Sequence, residues 1–146
     1  METELTFQIR LEKPPPGIDF GLQNGHGSSY ETVQKQRSAA GDLYFEFTVK
    51  LKATGNAGPD FLGPFIQGPK GSRFIYIDIG TYAGQTDTPW SRRLKIPLTG
   101  ITAAMTGKLV NDPSLIFATT VPGKGKDGGP NCATVKPFAG WTIVKK

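Results

Sequence analysis

The stretch ELTFQIRLE, residues 4–12, places Leu5, Phe7, Ile9 and Leu11 at every second position, with Thr6, Gln8, Arg10 and Glu12 between them. Successive side chains of an extended chain point to opposite faces, so this pattern makes a strand with one apolar and one polar face. A helix would scatter the same residues around its circumference. The alternation returns in LYFEFTVKL (43–51) and RFIYIDIG (73–80). RRLKIPL (92–98), LIFATTV (115–121) and GWTIVKK (140–146) read as further strands, and IDFGLQ (18–23) and PFIQ (64–67) as shorter ones.

Between these runs stand turn signals. KPPPG (13–17) stops the first strand, because proline has no amide proton to give to a ladder. NG (24–25), TGNAGPD (54–60), GPKGS (68–72), NDPS (111–114) and PGKGKDGGP (122–130) supply residues with preset φ or tolerance of positive φ. Nineteen glycines and twelve prolines in 146 residues are well above the roughly 12% of average usage, without a collagen period. Helical signals are few. SSYETVQKQR (28–37) can start a helix with Ser28 or Ser29 as its cap, and TGITAAMTGKLV (99–110) can form a short one. Short strands joined by Gly/Pro turns predict an all-β fold: an antiparallel β-sandwich or flattened barrel of about seven or eight strands. At most one or two short helices join it, one of them near residues 100–109. The alternative is α+β, if 28–37 or 99–110 packs as a real helix on one sheet face.

The length fits one domain spanning 1–146, with a single core. No apolar run approaches the ~20 residues that cross a bilayer, and METELTFQIRLEK has no signal-peptide pattern. The lone Cys132 forms no internal disulfide, which fits a reducing, cytoplasmic location. The net charge of +5 favours encounters with anions. The bases are scattered from Arg10 to Lys126 rather than gathered in a stripe, which argues against a nucleic-acid partner.

Residues 121–140 are the richest loop. Gly123, Gly125 and Gly128 match G-x-G-x-x-G, but Gly129, Pro130 and Pro137 follow where a dinucleotide site needs a helix, and no P-loop spacing exists. A nest of backbone amides aided by Lys124 and Lys126 can still hold an anion. The composition favours the plainer alternative, a hairpin turn around Asp127-Gly128 with solvated lysines.

Elsewhere, the strand at 73–80 puts Phe74, Tyr76 and Asp78 on one face, an acid beside aromatics of the kind that holds a sugar or a cation. A covered face, with Asp78 paired to an arginine, is the plainer reading. Trp90, Arg92 and Arg93 can bind a carboxylate or phosphate, or make salt bridges with Glu46 or Asp78. Cys132 and His26 form a nucleophile and base only if their loops meet. One cysteine and one histidine are too few for a metal site, and no cofactor is expected.

PPPGIDFGLQ, YETVQKQRSAAGDLYFEFTV, DFLGPFIQGPKGSRFIYIDIGTYAGQ, WSRRLKIPL and GKDGGPNCATVKPFAGW together resemble an uncharacterised bacterial family of the domain-of-unknown-function kind, number 5990 in that series. The resemblance covers nearly the whole chain. It implies a small, bacterial, single-domain protein and assigns no activity or ligand to any position.

The residues themselves point first to a non-enzymatic binding module for a small anionic or polyhydroxylated ligand. Lys124, Lys126, Asn131, Lys136, Arg92, Arg93, Trp90, Tyr76 and Asp78 are its expected contacts. A cysteine-dependent enzyme using Cys132 and His26 is the second reading. A protein-interaction or structural module, self-associating as a homodimer, is the third.

Overall fold

The computed structural model describes residues 2–24, 34–52, 58–81, 92–132 and 138–146. Among them, strands β1 (Glu2–Glu12), β2 (Ile18–Gln23), β3 (Gln34–Arg37), β4 (Leu43–Lys52), β5 (Asp60–Leu62), β6 (Phe74–Thr81) and β7 (Arg92–Pro97) precede helix α1 (Ala103–Asn111). Strands β8 (Leu115–Pro122) and β9 (Thr142–Lys145) follow it. They form two sheets. The larger runs β3-β4-β1-β8-β9, with β5 also pairing β4, and the smaller runs β2-β6-β7.

Alternation dictates how the sheets meet. Antiparallel β1 and β4 set Leu5 beside Val49, Phe7 beside Phe47, Ile9 beside Phe45 and Leu11 beside Leu43, all facing inward. From the small sheet, Phe20, Leu22, Ile75, Ile77, Ile79, Leu94 and Ile96 join them in one core. Phe7 is its centre: its ring lies 5.1 Å from both Phe117 and Trp141, 5.7 Å from Phe61 and 6.0 Å from Phe47. Each such fully buried side chain stabilises the fold by about 1.5–3 kcal/mol. Trp141 Nε1 donates to Pro97 O at 2.9 Å, tying the end of the large sheet to the small one.

The expected all-β sandwich is therefore present, as two separate sheets rather than a closed barrel. Four details differ from the sequence reading. Nine strands occur among the described residues, and β1 pairs β8 in parallel, Phe7 opposite Phe117, within an otherwise antiparallel arrangement. Such a pairing needs a long crossover, which local alternation does not reveal. Residues 34–37 of the possible helix 28–37 are strand β3, an edge strand polar on both faces, and 25–33 lie outside the described residues. PFIQ is not a strand: Gly63 O accepts from Ile66 N in a turn, and only Gln67 bridges to Phe74.

The helix near 100–109 is α1. Thr102 caps it, its side-chain oxygen accepting from Met105 N at 3.2 Å, and Leu109 packs into the core. No helix among the described residues is long and apolar enough to cross a membrane.

Candidate functional site

The two sheets treat their outer faces differently. On the large sheet, outward residues such as Thr48 and Lys50 are exposed, as an ordinary half-solvated sheet requires. On the small sheet, the outward positions Gly21, Gln23, Asp78 and Gly80 are buried. At these positions both faces of β2 and β6 are out of water, so polar groups there need partners.

Register assembles this face. Gly21 lies opposite Asp78 and Gln23 opposite Tyr76 across β2 and β6, while Asp78 lies opposite Arg93 and Tyr76 opposite Lys95 across β6 and β7. Arg93 Cζ stands 5.3 Å from the centre of the Tyr76 ring, and Tyr76 stacks edge-on against Phe74 at 4.9 Å. Lys95 Nζ lies 4.2 Å above Phe74. The glycine opposite Asp78 leaves its carboxylate without a side chain across the β2–β6 ladder.

Two acceptors on this face lack donors among the described residues. Asp78 Oδ1 and Gln23 Oε1 are fully out of solvent and accept no directed hydrogen bond from them. Arg93 Nε approaches Asp78 Oδ1 to 3.1 Å and neutralises its charge, but the approach gives no directed hydrogen bond. Burial pushes the Asp78 carboxyl above the usual range, and the Arg93 guanidinium only partly opposes this. A buried acceptor left unpaired costs about 1–3 kcal/mol, so the pair calls for an explanation.

The glycine loop lies elsewhere. Arg92 is next to Arg93 but points to the other side of β7, where its Nη1 stands 3.6 Å from Cys132 Sγ. Cys132 and Asp127 hold this guanidinium still more firmly in its charged form. The loop's amides are engaged internally. Gly125 N donates to Gly129 O at 2.6 Å, Gly128 N to Gly125 O, Asn131 N to Gly123 O and Gly129 N to Asp127 Oδ1. Gly123 N donates to Glu12 O, and Asn131 Nδ2 to Pro122 O. With Lys124 bridged to Pro130 and Gly128 at φ 83°, the loop is a tight turn rather than an open amide nest. Lys124 and Lys126 are exposed at its tip.

The structure thus gathers Tyr76, Asp78 and Arg93 on one face, and sets Arg92 against Cys132 and the glycine turn away from it. Cys132 Sγ donates to Pro130 O at 3.1 Å, so its proton faces a carbonyl rather than a base. His26, Trp90 and Lys136 lie outside the described residues. Among the described residues no three of His, Cys, Asp and Glu gather as metal ligands would. The sequence reading missed Gln23. Its signal was present, because period two in IDFGLQ puts Asp19, Gly21 and Gln23 together on the face opposite Phe20 and Leu22.

A family described as "Family of unknown function (DUF5990)" matches residues 5–144, and the chain belongs to it. No curated protein and no solved structure matches the chain.

Proposed function

We propose that this member of the DUF5990 family is a non-enzymatic binding module for a small polyhydroxylated or anionic ligand, held on the outer face of the β2-β6-β7 sheet. The observation that carries the reading is the buried Gln23 Oε1, without a donor among the described residues, on the same face as the buried Asp78 carboxylate, which has only the off-line Arg93 Nε beside Oδ1. A ligand hydroxyl that donates to each satisfies both at once and recovers the cost of leaving them unpaired. Tyr76 offers an aromatic surface to the apolar side of such a ligand.

Arg93 gives the site its second chemistry. Its guanidinium is half exposed, with donors left for an anionic substituent after it faces Asp78. Arg92, Asn131 and the exposed Lys124 and Lys126 lie off this face, and the three bases draw such an anion toward the molecule. Trp90 and Lys136, outside the described residues, stay further candidates for this proposed contact set. Cys132, whose thiol donates to Pro130 O, is given no catalytic part in this reading. A single free thiol also suits a reducing, cytoplasmic setting.

Thermal-shift and calorimetric screening with polyols, monosaccharides and their phosphate esters tests the reading. Stabilisation that Asp78→Asn weakens supports it. No stabilisation by any of these compounds removes it.

A further inference from the structure

On the opposite side of the molecule, the outer face of the large sheet carries two adjoining hollows, of about 270 and 380 Å³. The first is lined by Gln8, Gln36, Ser38, Tyr44 and Glu46. The second also has Gln8 and Tyr44 in its wall and continues over Ala118, Thr120 and Thr142. Because the two share Gln8 and Tyr44, they form one groove.

Strand register gives the groove its direction. Gln36, Tyr44, Arg10 and Thr120 lie side by side on β3, β4, β1 and β8. Glu46, Gln8, Ala118 and Thr142 form the neighbouring row on β4, β1, β8 and β9. The groove therefore crosses the strands. Five strands at a spacing of ~4.8 Å make it about 19 Å long, with the small Ala118 deepening its floor.

Its chemistry is neutral and two-handed. Gln8 and Gln36 both donate and accept, as do Ser38, Thr120, Thr142 and the Tyr44 phenol. Arg10 brings a positive charge, but its Nε and Nη2 donate to Asp42 Oδ2 at 3.0 and 2.7 Å, which holds the Asp42 carboxyl below the usual range. Glu46 adds a negative charge, so a polyanion gains nothing here. Among the described residues the exposed large apolar side chains are Val110 and Val144, too few for a protein interface core. An extended ligand whose hydroxyls are donor and acceptor together fits this lining, with the half-buried Tyr44 at mid-groove as the platform for an apolar ring face.

We infer that this groove binds an extended neutral oligosaccharide, as a site separate from the one proposed above. Calorimetric titration of the full chain with neutral hexose and pentose oligomers, from mono- to hexasaccharide, tests it against a sulfated oligomer of equal length. The expected result is affinity that rises with chain length. Tyr44→Ala weakens it by up to about tenfold, Gln8→Ala weakens it as well, and Asp78→Asn leaves it unchanged. Thermal melts show which variants are folded, and Gln8→Ala decides the matter if Tyr44→Ala is not. Absence of binding by every neutral oligomer, preference for the sulfated one, or unchanged affinity in folded Tyr44→Ala and Gln8→Ala overturns the inference. Loss of binding on Asp78→Asn overturns it too, by moving the oligosaccharide to the small sheet.

Discussion

Arg93 and Asp78 face each other at 3.1 Å across β6 and β7, yet they are unequal partners: the carboxylate side chain is 4% exposed and the guanidinium 50%. The arginine gives up little hydration, while the aspartate depends on it for charge balance. Arg93→Met therefore destabilises the protein at neutral pH by about 1–3 kcal/mol, the cost of a buried carboxylate left without its counter-charge. Denaturant unfolding at neutral and acid pH checks this: the deficit shrinks in acid, where Asp78 is protonated.

Asp78 and Asp60 respond to pH with opposite signs. The folded-state pKa of Asp78 is raised, so the folded protein holds that proton more tightly than the unfolded chain. Stability from this group is present at low pH and is lost as pH rises from the ordinary carboxylate range through the raised value. Asp78→Asn removes this loss, and the variant's stability, relative to the parent, improves as pH rises through that window. Unfolding free energies measured across acid to neutral pH show it.

Asp60 sits in a bidentate pair with Arg73, Nε to Oδ1 at 3.0 Å and Nη2 to Oδ2 at 3.1 Å, and Arg73 Nη1 also donates to Gly68 O. The Arg73 hydrogen bonds hold the Asp60 carboxyl below its usual range. Its contribution is present above that range and is lost as pH falls through the depressed value. Asp60→Asn costs about 2–3 kcal/mol at neutral pH and less in strong acid, by the same unfolding assay.

Phe7→Ala removes the ring on which Phe47, Phe61, Phe117 and Trp141 converge. The expected loss is about 3–5 kcal/mol, read from denaturant midpoints with an unchanged m-value.

Gly123→Ala tests whether the glycine turn is packed. A Cβ there would come within 2.8 Å of Glu12 O and Pro14 Cα, both backbone atoms that cannot give way cheaply. Gly128 also has positive φ, but open space surrounds it, so Gly128→Ala strains only its own backbone. Melting temperatures fall for both, and further for Gly123→Ala.

How far the sequence anticipates this molecule depends on the distance over which each feature is written. Leu5 to Leu11 and Leu43 to Leu51 announce their strands because one face of each is buried, and burial forces alternation. Gln34–Arg37 announces nothing, since an edge strand polar on both sides carries no period. The Tyr76, Asp78 and Arg93 cluster was legible as a polar stripe on apolar strands. The burial that makes Asp78 and Gln23 notable depends on what covers the face. The groove was not legible, because Gln8, Gln36, Tyr44, Thr120 and Thr142 look like ordinary solvated residues until five strands bring them side by side.

The most direct measurement is an amide NMR titration of the chain with the polyol, monosaccharide and sugar-phosphate set. The account predicts shifts concentrated at Gly21–Asn24, Tyr76–Gly80 and Arg92–Lys95, absent in Asp78→Asn. Shifts confined to Gln8, Tyr44 and Thr120, or none with any of these small ligands, would contradict it.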